Sequence, residues 1–315
     1  MDISIFITNY NGFKNGYIQE ALPNIISEAK KYRKGKYEII FVDDCSIDDS
    51  IKYVSENFPE IIIKKTAKNC GYQRASNFAV AHCQFPILIS LNNDIKLGDN
   101  VLNKIVDYFN DENVFAVSTK VFLWDEKTYL AGKRIALLEK GHFKLKDLGD
   151  TITNTEMTLF ATGGAAAFRK SMYLELGGFD DIYYPLYWED IDLCYRALKR
   201  GWKVLYAPEC IMYHKHQATI KTMYDATQLS FITARNSYIF FWKNISTPKF
   251  LFAHFFWSLV FFIRDFFNLK FRFHIAFLLA LKKIFKIIKR KIKEKNFFIK
   301  TDSEILDLLK NNYSL

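Results

Sequence analysis

The sequence predicts an α/β protein: a mostly parallel, doubly wound sheet with a small antiparallel extension, followed by a helical C-terminal region. Three observations predict it. Short apolar runs alternate with segments of helical period from Ile3 to Phe109, a pattern that builds a sheet covered by helices on both faces. Polar and acidic residues follow several of those runs, at the strand ends where such sheets bind ligands. The charge is also divided: residues 1–242 carry 29 Lys+Arg against 29 Asp+Glu, whereas residues 243–300 carry 14 against 2.

Strands are expected at Ile3–Thr8, Tyr37–Val42, Ile61–Lys65 and Pro86–Leu91, each followed by a helix, at Tyr17–Tyr32, Ile47–Asn57, Tyr72–His82 and Asp99–Phe109. Past residue 110 the pattern decays into short segments at Val114–Ser118, Val121–Trp124, Met157–Phe160 and Ala165–Arg169, which predict the antiparallel extension inside a loop-rich middle. A helix is expected from Glu189 to before Gly201, then strands at Lys203–Tyr206 and Cys210–His214. The five cysteines lack CxxC spacing and read as free thiols of a reducing compartment. The N-terminal MDISIFITNY has no basic leader and reads as a strand, not a signal peptide, which predicts a cytoplasmic protein.

Near the C-terminus, Phe250–Ile263 is fourteen residues without a formal charge, interrupted by Arg264-Asp265 and continued by Phe266–Leu281. Fourteen helical residues reach about 21 Å, short of a hydrocarbon core of roughly 30 Å, so a clean crossing is not expected. From Lys282 to Lys295, cations interleave with Ile284, Phe285, Ile287, Ile288 and Ile292, which predicts a helix with one apolar and one cationic face. So much apolar surface beside positive charge favours an anionic membrane surface through 250–300 over nucleic acid. Core-covering helices or a homodimer surface are the competing reading.

Several sites carry chemistry. Asp43 and Asp44 end an apolar strand, where one carboxylate can accept the imide N–H of a pyrimidine base; turn and capping roles compete, through Ser46 and Asp48. Asn69, Gly71, Arg74 and Asn77 open the third helix, whose N-terminus favours a phosphate. Leu91-Asn92-Asn93-Asp94 places oxygen ligands at a strand end, suited to a hard cation such as Mg²⁺ or Mn²⁺. Glu189, Asp190 and Asp192 crowd a helix start beside Trp188, where burial and like charge would raise the pKa of a general base and the helix dipole would lower it. His214 and His216 flank a lysine at a strand end and are candidate metal ligands or structural histidines.

Taken in order, ITNYNG, VDDCSIDDS, NCGYQRASN, SLNNDIKL, TGGAAAFRKSMYLELGGFDDIYYPLYWEDIDLCYRALKRGW and YHKHQAT resemble the inverting family 2 glycosyltransferases of GT-A fold. The likeness is greatest to the bacterial rhamnosyltransferase and galactofuranosyltransferase branch, and runs from about residue 3 to 245. It implies a catalytic domain at 1–245, with a nucleotide-binding half at 1–110 and an acceptor half at 111–245, and a helical, membrane-associating region at 246–315. It implies that Thr8, Asn9, Asp43, Asp44, Asn69, Arg74, Asn77 and Asn93 hold the nucleotide. Thr162, Gly163, Gly164 and Trp188 then face the donor and acceptor sugars, Asp190 is the base with Glu189 beside it, and Asp94 binds the divalent cation with His214, or alternatively His216. Asn92 stands where the family's metal motif often has its first Asp.

The implied reaction moves a sugar from a UDP- or dTDP-linked donor, rhamnose for example, to a hydroxyl of a cell-surface glycan intermediate, lipid-linked at the inner face of the cytoplasmic membrane. A transferase acting on bare polyprenyl phosphate shares this fold and differs in the acceptor. A non-catalytic membrane-bound nucleotide-sugar-binding protein would need the base-binding carboxylates and not Asp190.

Overall fold

The computed structural model describes residues 1–149, 151–215, 224–269 and 271–310. Its first half follows the predicted alternation: β1 (Ile3–Asn9), α1 (Tyr17–Lys30), β2 (Tyr37–Asp43), α2 (Ser50–Asn57), β3 (Ile62–Lys65), α3 (Tyr72–His82) and β4 (Ile87–Asn92). A short β5 (Ile95–Leu97), α4 (Val101–Ile105) and a 3₁₀ turn at Val106–Asn110 replace the single helix expected at Asp99–Phe109. β1 pairs in parallel with both β2 and β4, so successive crossovers run to opposite sides of β1. This switch point opens a crevice at the carboxyl ends of β1 and its neighbours. Both faces of these strands are buried, which explains their unbroken Ile/Val/Leu/Phe runs.

The antiparallel extension is present, and two of its strands are longer than expected and pair with each other in parallel. β6 (Val114–Leu123) and β12 (Lys203–His214) are each one strand where two were read, and the β6–β12 register shifts between Ala207 and Ile211. A bulge of this kind keeps pairing while the inward pattern slips, so the break in hydrophobic period is a shift and not a loop. β11 (Ala165–Arg169) lies antiparallel between β4 and β6. β7 (Tyr129–Ala131) and β10 (Glu156–Met157) are short edge pairings, and α5 (Lys170–Glu175) follows β11.

A hairpin of β8 (Arg134–Glu139) and β9 (His142–Asp147) falls where the sequence suggested no element. Its two-residue turn, Lys140-Gly141, has positive φ at both positions, as turns matched to strand twist require. A side chain at Gly141 would run into the backbone of Ala253, which fixes the hairpin against the helices that follow.

Those helices are α6 (Glu189–Lys199), α7 (Ala226–Asn244), α8 (Pro248–Phe267), α9 (Arg272–Leu281), α10 (Ile284–Lys295) and α11 (Asp302–Lys310). Arg264-Asp265 does not interrupt α8: Arg264 Nε donates to Asp265 Oδ1 at 2.7 Å, and the helix runs on for 20 residues. It is therefore long and apolar enough to cross a membrane by length and composition, which corrects the 21 Å estimate. One side of it packs on protein. His254 is buried, stacked on Phe241, accepting from Trp242 Nε1 at 3.0 Å and donating from Nδ1 to Gly141 O at 2.8 Å. The other side exposes Phe252, Phe255, Phe256, Phe262, Phe266 and Phe267.

α10 does not divide into an inward apolar and an outward cationic face: Ile287 is buried, and Arg290 and Lys291 turn inward beside it. Arg290 binds Asp180 and Asp181, Lys291 Nζ donates to the carbonyls of Trp242 and Ile245, and Lys283, just before the helix, donates to Ile182 O. Phe285, Ile288 and Ile292 face outwards. Arg290 and Lys291 turn inward because the core side offers them carboxylates and the carbonyls of a helix end, while Lys286, Lys289, Lys293 and Lys295 stay exposed. α11 returns to the start of this helical layer, where Asp302 accepts the backbone N–H of Ser246 and Thr247 at 2.8 Å and pairs with Lys199 at 2.7 Å.

Candidate active site

The crevice is organised around the end of β4. Asn93 Nδ2 donates to Asn9 Oδ1 at 2.7 Å, and Asn9 Nδ2 donates to Asp43 Oδ1 at 2.9 Å, so one amide chain joins the ends of β4, β1 and β2. A residue further on, Asp94 Oδ1 lies 3.1 Å from His214 Nε2, because β5 pairs antiparallel with the end of β12 and sets His214 opposite Ile95. Back along β4, Ser90 donates its hydroxyl to Gly163 O, and the Gly163 N–H points at Asp190 Oδ2 at 3.4 Å. Asp43, Asp94, His214 and Asp190 are thus linked to one strand. Among the described residues no group of three or more carboxylate, His or Cys side chains is placed to enclose a metal ion. Asp94 and His214 form a two-member set, one hard oxygen and one imidazole, chemistry that fits a divalent cation completing its shell with phosphate oxygens and water. His216 lies outside the described residues.

Asp43 and Asp44 sit at the rim with their oxygens turned into their own loops. Ser46 donates N–H and Oγ to Asp43, at 2.9 and 2.5 Å. Asp44 accepts from Thr66 Oγ1 at 2.8 Å and from the N–H groups of Cys70 and Gly71 at 3.0 and 2.8 Å. Buried carboxylates require such donors. Asp44 therefore clamps the loop that opens α3 and sets the position of Asn69, which is exposed. Thr8, one residue before Asn9, is buried between Val42 and Asn92.

Two residues of the α3 segment point elsewhere. Asn77 accepts from Phe179 N–H at 2.9 Å and Tyr173 OH at 2.8 Å and donates to Phe179 O, which commits its amide to the 173–179 turn. Arg74 Nη2 pairs with Asp181 at 2.8 Å. Gln73, between them in function, donates to Glu189 Oε2 at 3.2 Å.

The acidic trio divides into three environments. Tyr187 and Trp188 both adopt positive φ, 70° and 78°, unusual for bulky residues and a mark of functional turns. This turn delivers Glu189 inward and Asp190 toward the crevice, while Trp188 is buried against Phe240 with ring centroids 5.1 Å apart. Glu189 is buried, and desolvation followed by the Asp190 charge pushes its pKa up to about 8. Asp190 is partly exposed. Burial raises its pKa too, opposed by the Ile191 N–H at 2.8 Å, the Arg134 guanidinium and the Gly163 N–H. Asp192 is fully buried and held well below the usual carboxylate range, against the cost of burial, by Lys243 and Arg196, with Tyr183 OH and Asn244 also donating. Asp192 is thus a core anion.

The loop Thr162-Gly163-Gly164 fits only because it lacks side chains where it matters. A Cβ at Gly164 would overlap the Asn92 side chain and one at Gly163 would meet Tyr72 OH. Arg134, on the unforeseen hairpin, donates to Thr162 Oγ1 at 3.1 Å and to Asp147 at 3.2 Å. The hairpin's sequence signal is the alternation Phe143-Lys144-Leu145-Lys146 just after the Lys140-Gly141 turn.

The arrangement places one buried carboxyl with a raised pKa, one more accessible carboxylate, and an Asp-His pair around a single strand end. Residues 4–177 match the family described as Glycosyl transferase family 2. The O-antigen chain rhamnosyltransferase RfbN of Salmonella typhimurium is 24% identical over 221 residues, which covers 70% of this chain and 68% of that protein. The N-acetylglucosaminyl-diphospho-decaprenol L-rhamnosyltransferase of Mycobacterium tuberculosis is 22% identical over 208 residues, 58% of this chain and 67% of that one. Among solved structures, the mannosyltransferase PcManGT of Pyrobaculum calidifontis, in complex with GDP-Man and Mn²⁺, superposes with TM-score 0.56 at 17% identity over 90% of this chain and 74% of its own. Motif order, sheet topology and these likenesses agree: the chain belongs to glycosyl transferase family 2 and is a glycosyltransferase of GT-A fold, with relatives among the rhamnosyltransferases.

Proposed function

We propose that this enzyme transfers a sugar, with inversion, from a UDP- or dTDP-linked donor such as a rhamnose nucleotide to a hydroxyl of a lipid-linked cell-surface glycan. The observation that carries the reading is the contrast between Glu189 and Asp190. Two adjacent carboxylates cannot both ionise cheaply, and burial pushes both upward. Glu189, the more buried of the two and pushed up to about 8, is the one that holds a proton, which leaves the more accessible Asp190 to accept one. Asp190 then takes the proton of the acceptor hydroxyl as its oxygen forms the new bond to the anomeric carbon. The bond from that carbon to the diphosphate oxygen breaks on the opposite face, and its electron pair leaves with the nucleoside diphosphate. The Gly163 N–H and the charge of Arg134 act on the Asp190 carboxylate, and Thr162 to Gly164 would face the two sugars.

Asp94 with His214 would hold Mg²⁺ or Mn²⁺, whose charge offsets the one that develops on the leaving phosphate. The nucleotide is assigned to the rim of Thr8, Asn9, Asn93 and the Asp43-Asp44 loop, with Asn69 alongside. We assign catalysis to 1–245 and membrane contact to 246–315, working peripherally at the cytoplasmic face; the exposed phenylalanines of α8 support this. The names of the two relatives, an O-antigen chain enzyme and one acting on a diphospho-decaprenol glycan, support the acceptor class.

The test is transfer from a panel of radiolabelled UDP- and dTDP-sugars, with Mn²⁺, to a short lipid-diphosphate-linked glycan. Product with inverted anomeric configuration is expected from one donor of the panel. Label appearing on bare polyprenyl phosphate instead would reassign the acceptor.

A further inference from the structure

We propose that a basic cavity between α3 and α10, with the apolar groove beside it on α9, holds the diphosphate head and the start of the hydrocarbon chain of a lipid diphosphate. The inference rests on the lipid-linked acceptor proposed above and gives it a place on this chain.

The cavity measures about 440 Å³ and is lined by Lys68 and Arg74 on one wall and by Lys283, Lys286 and Arg290 on the other, with Asp181 between them. Five cations face one carboxylate. Arg74 and Arg290 share Asp181 at 2.8 and 2.7 Å, while Lys68 and Lys286 are exposed, and Arg290 Nη1 is buried with no hydrogen-bond acceptor among the described residues. Burial first, then the charges of Arg235, Lys286 and Arg290, lowers Lys283 to about 8.

Opposed walls of positive charge fit a group with several anionic oxygens. A second cavity of about 450 Å³, lined by Ile275, Leu278, Leu279, Leu281 and Lys282, is apolar. Lys282 borders the apolar cavity and Lys283 the basic one, so the two are neighbours along the chain. Charge and grease in that order fit a phosphate ester with an alkyl or prenyl tail. The donor diphosphate is assigned to Asp94 and His214, which line neither cavity, and Asn69 marks where the basic cavity borders the nucleotide rim. α3 places the basic cavity within reach of chemistry, because Gln73 bonds Glu189 while Arg74, the next residue, lines the cavity.

The experiment measures binding of farnesyl diphosphate, inorganic pyrophosphate and phosphatidylglycerol vesicles to the full-length chain and to Lys68→Glu/Lys286→Glu, whose exposed positions leave folding intact. Wild type is expected to bind farnesyl diphosphate about tenfold or more tighter than pyrophosphate, and the double variant to lose about tenfold or more. Leu278→Asn is expected to erase the preference for farnesyl diphosphate over pyrophosphate. Equal farnesyl diphosphate affinity in wild type and double variant overturns the proposal. So does loss of vesicle binding alone, which would assign the cavity to a phospholipid headgroup. Sugar transfer to a soluble glycan by a chain that ignores farnesyl diphosphate would overturn this site and leave the glycosyltransferase reading standing. Tight farnesyl diphosphate binding without any transfer would do the reverse.

Discussion

The carboxylate of Asp94 lies 3.1 Å from the imidazole of His214, across the short antiparallel pairing of β5 with β12. Neither residue is near the other in sequence, and each alone is weak grounds for a metal site. Together they predict that Asp94→Ala and His214→Ala each lose Mn²⁺-dependent donor binding. Calorimetry of nucleotide sugar with and without Mn²⁺ checks this; a variant that binds donor as wild type does would exclude its residue from the cation site.

Asp190 and Asp192 are two residues apart and call for opposite results. Asp190→Asn is expected to lower kcat by about 10²- to 10⁴-fold, the usual worth of a general base, with donor affinity unchanged. Its denaturation midpoint stays near wild type, since its carboxylate is partly exposed.

Asp192→Ala removes the partner of two buried cations, Lys243 and Arg196, and is expected to cost about 3–5 kcal/mol of stability. Urea unfolding at neutral pH measures it. An unchanged midpoint would mean the ion cluster relaxes without cost.

Glu189 gives a pH signature. Its pKa is raised in the native state, so the folded chain keeps a proton that the unfolded chain releases. Stability contributed by that proton is present at low pH and is lost as pH rises from the ordinary glutamate range towards about 8. Glu189→Gln, a neutral isostere, is expected to flatten the fall in Tm between acid and mildly alkaline pH. A slope as steep as wild type would show that Glu189 is ionised in the fold.

For the helical layer, Phe252→Ser/Phe255→Ser/Phe267→Ser is expected to abolish flotation with anionic liposomes while leaving Tm near wild type, because these are among its most exposed rings. Flotation equal to wild type would place membrane contact elsewhere.

Much of this was legible in the sequence because local signals were consistent. β1, β2, β4 and β11 are apolar runs bounded by turn residues, and α3 spans the residues expected of it. Asp43, Asp94, Asp190 and His214 were assigned to one site, and the fold ties them all to β4. The hairpin carrying Arg134 is hard to see because its first strand, Arg134–Glu139, holds a short apolar run without alternation. Hydrophobic period on α10 does not tell that Arg290 turns inward. That depended on Asp180 and Asp181, far away in the chain. Asn77 read as a ligand contact because an amide's partners are tertiary, and here they are Tyr173 and Phe179.

Asp302 has a wider consequence. By accepting the N–H groups where α8 departs, it fastens the end of a long excursion to its beginning, so the greasy helices form a rigid plinth and not a leash. If these helices dock on lipid as proposed, the altitude of the Asp190 carboxylate above the bilayer would be a constant of the fold, and acceptors whose hydroxyl stands at that height would be selected.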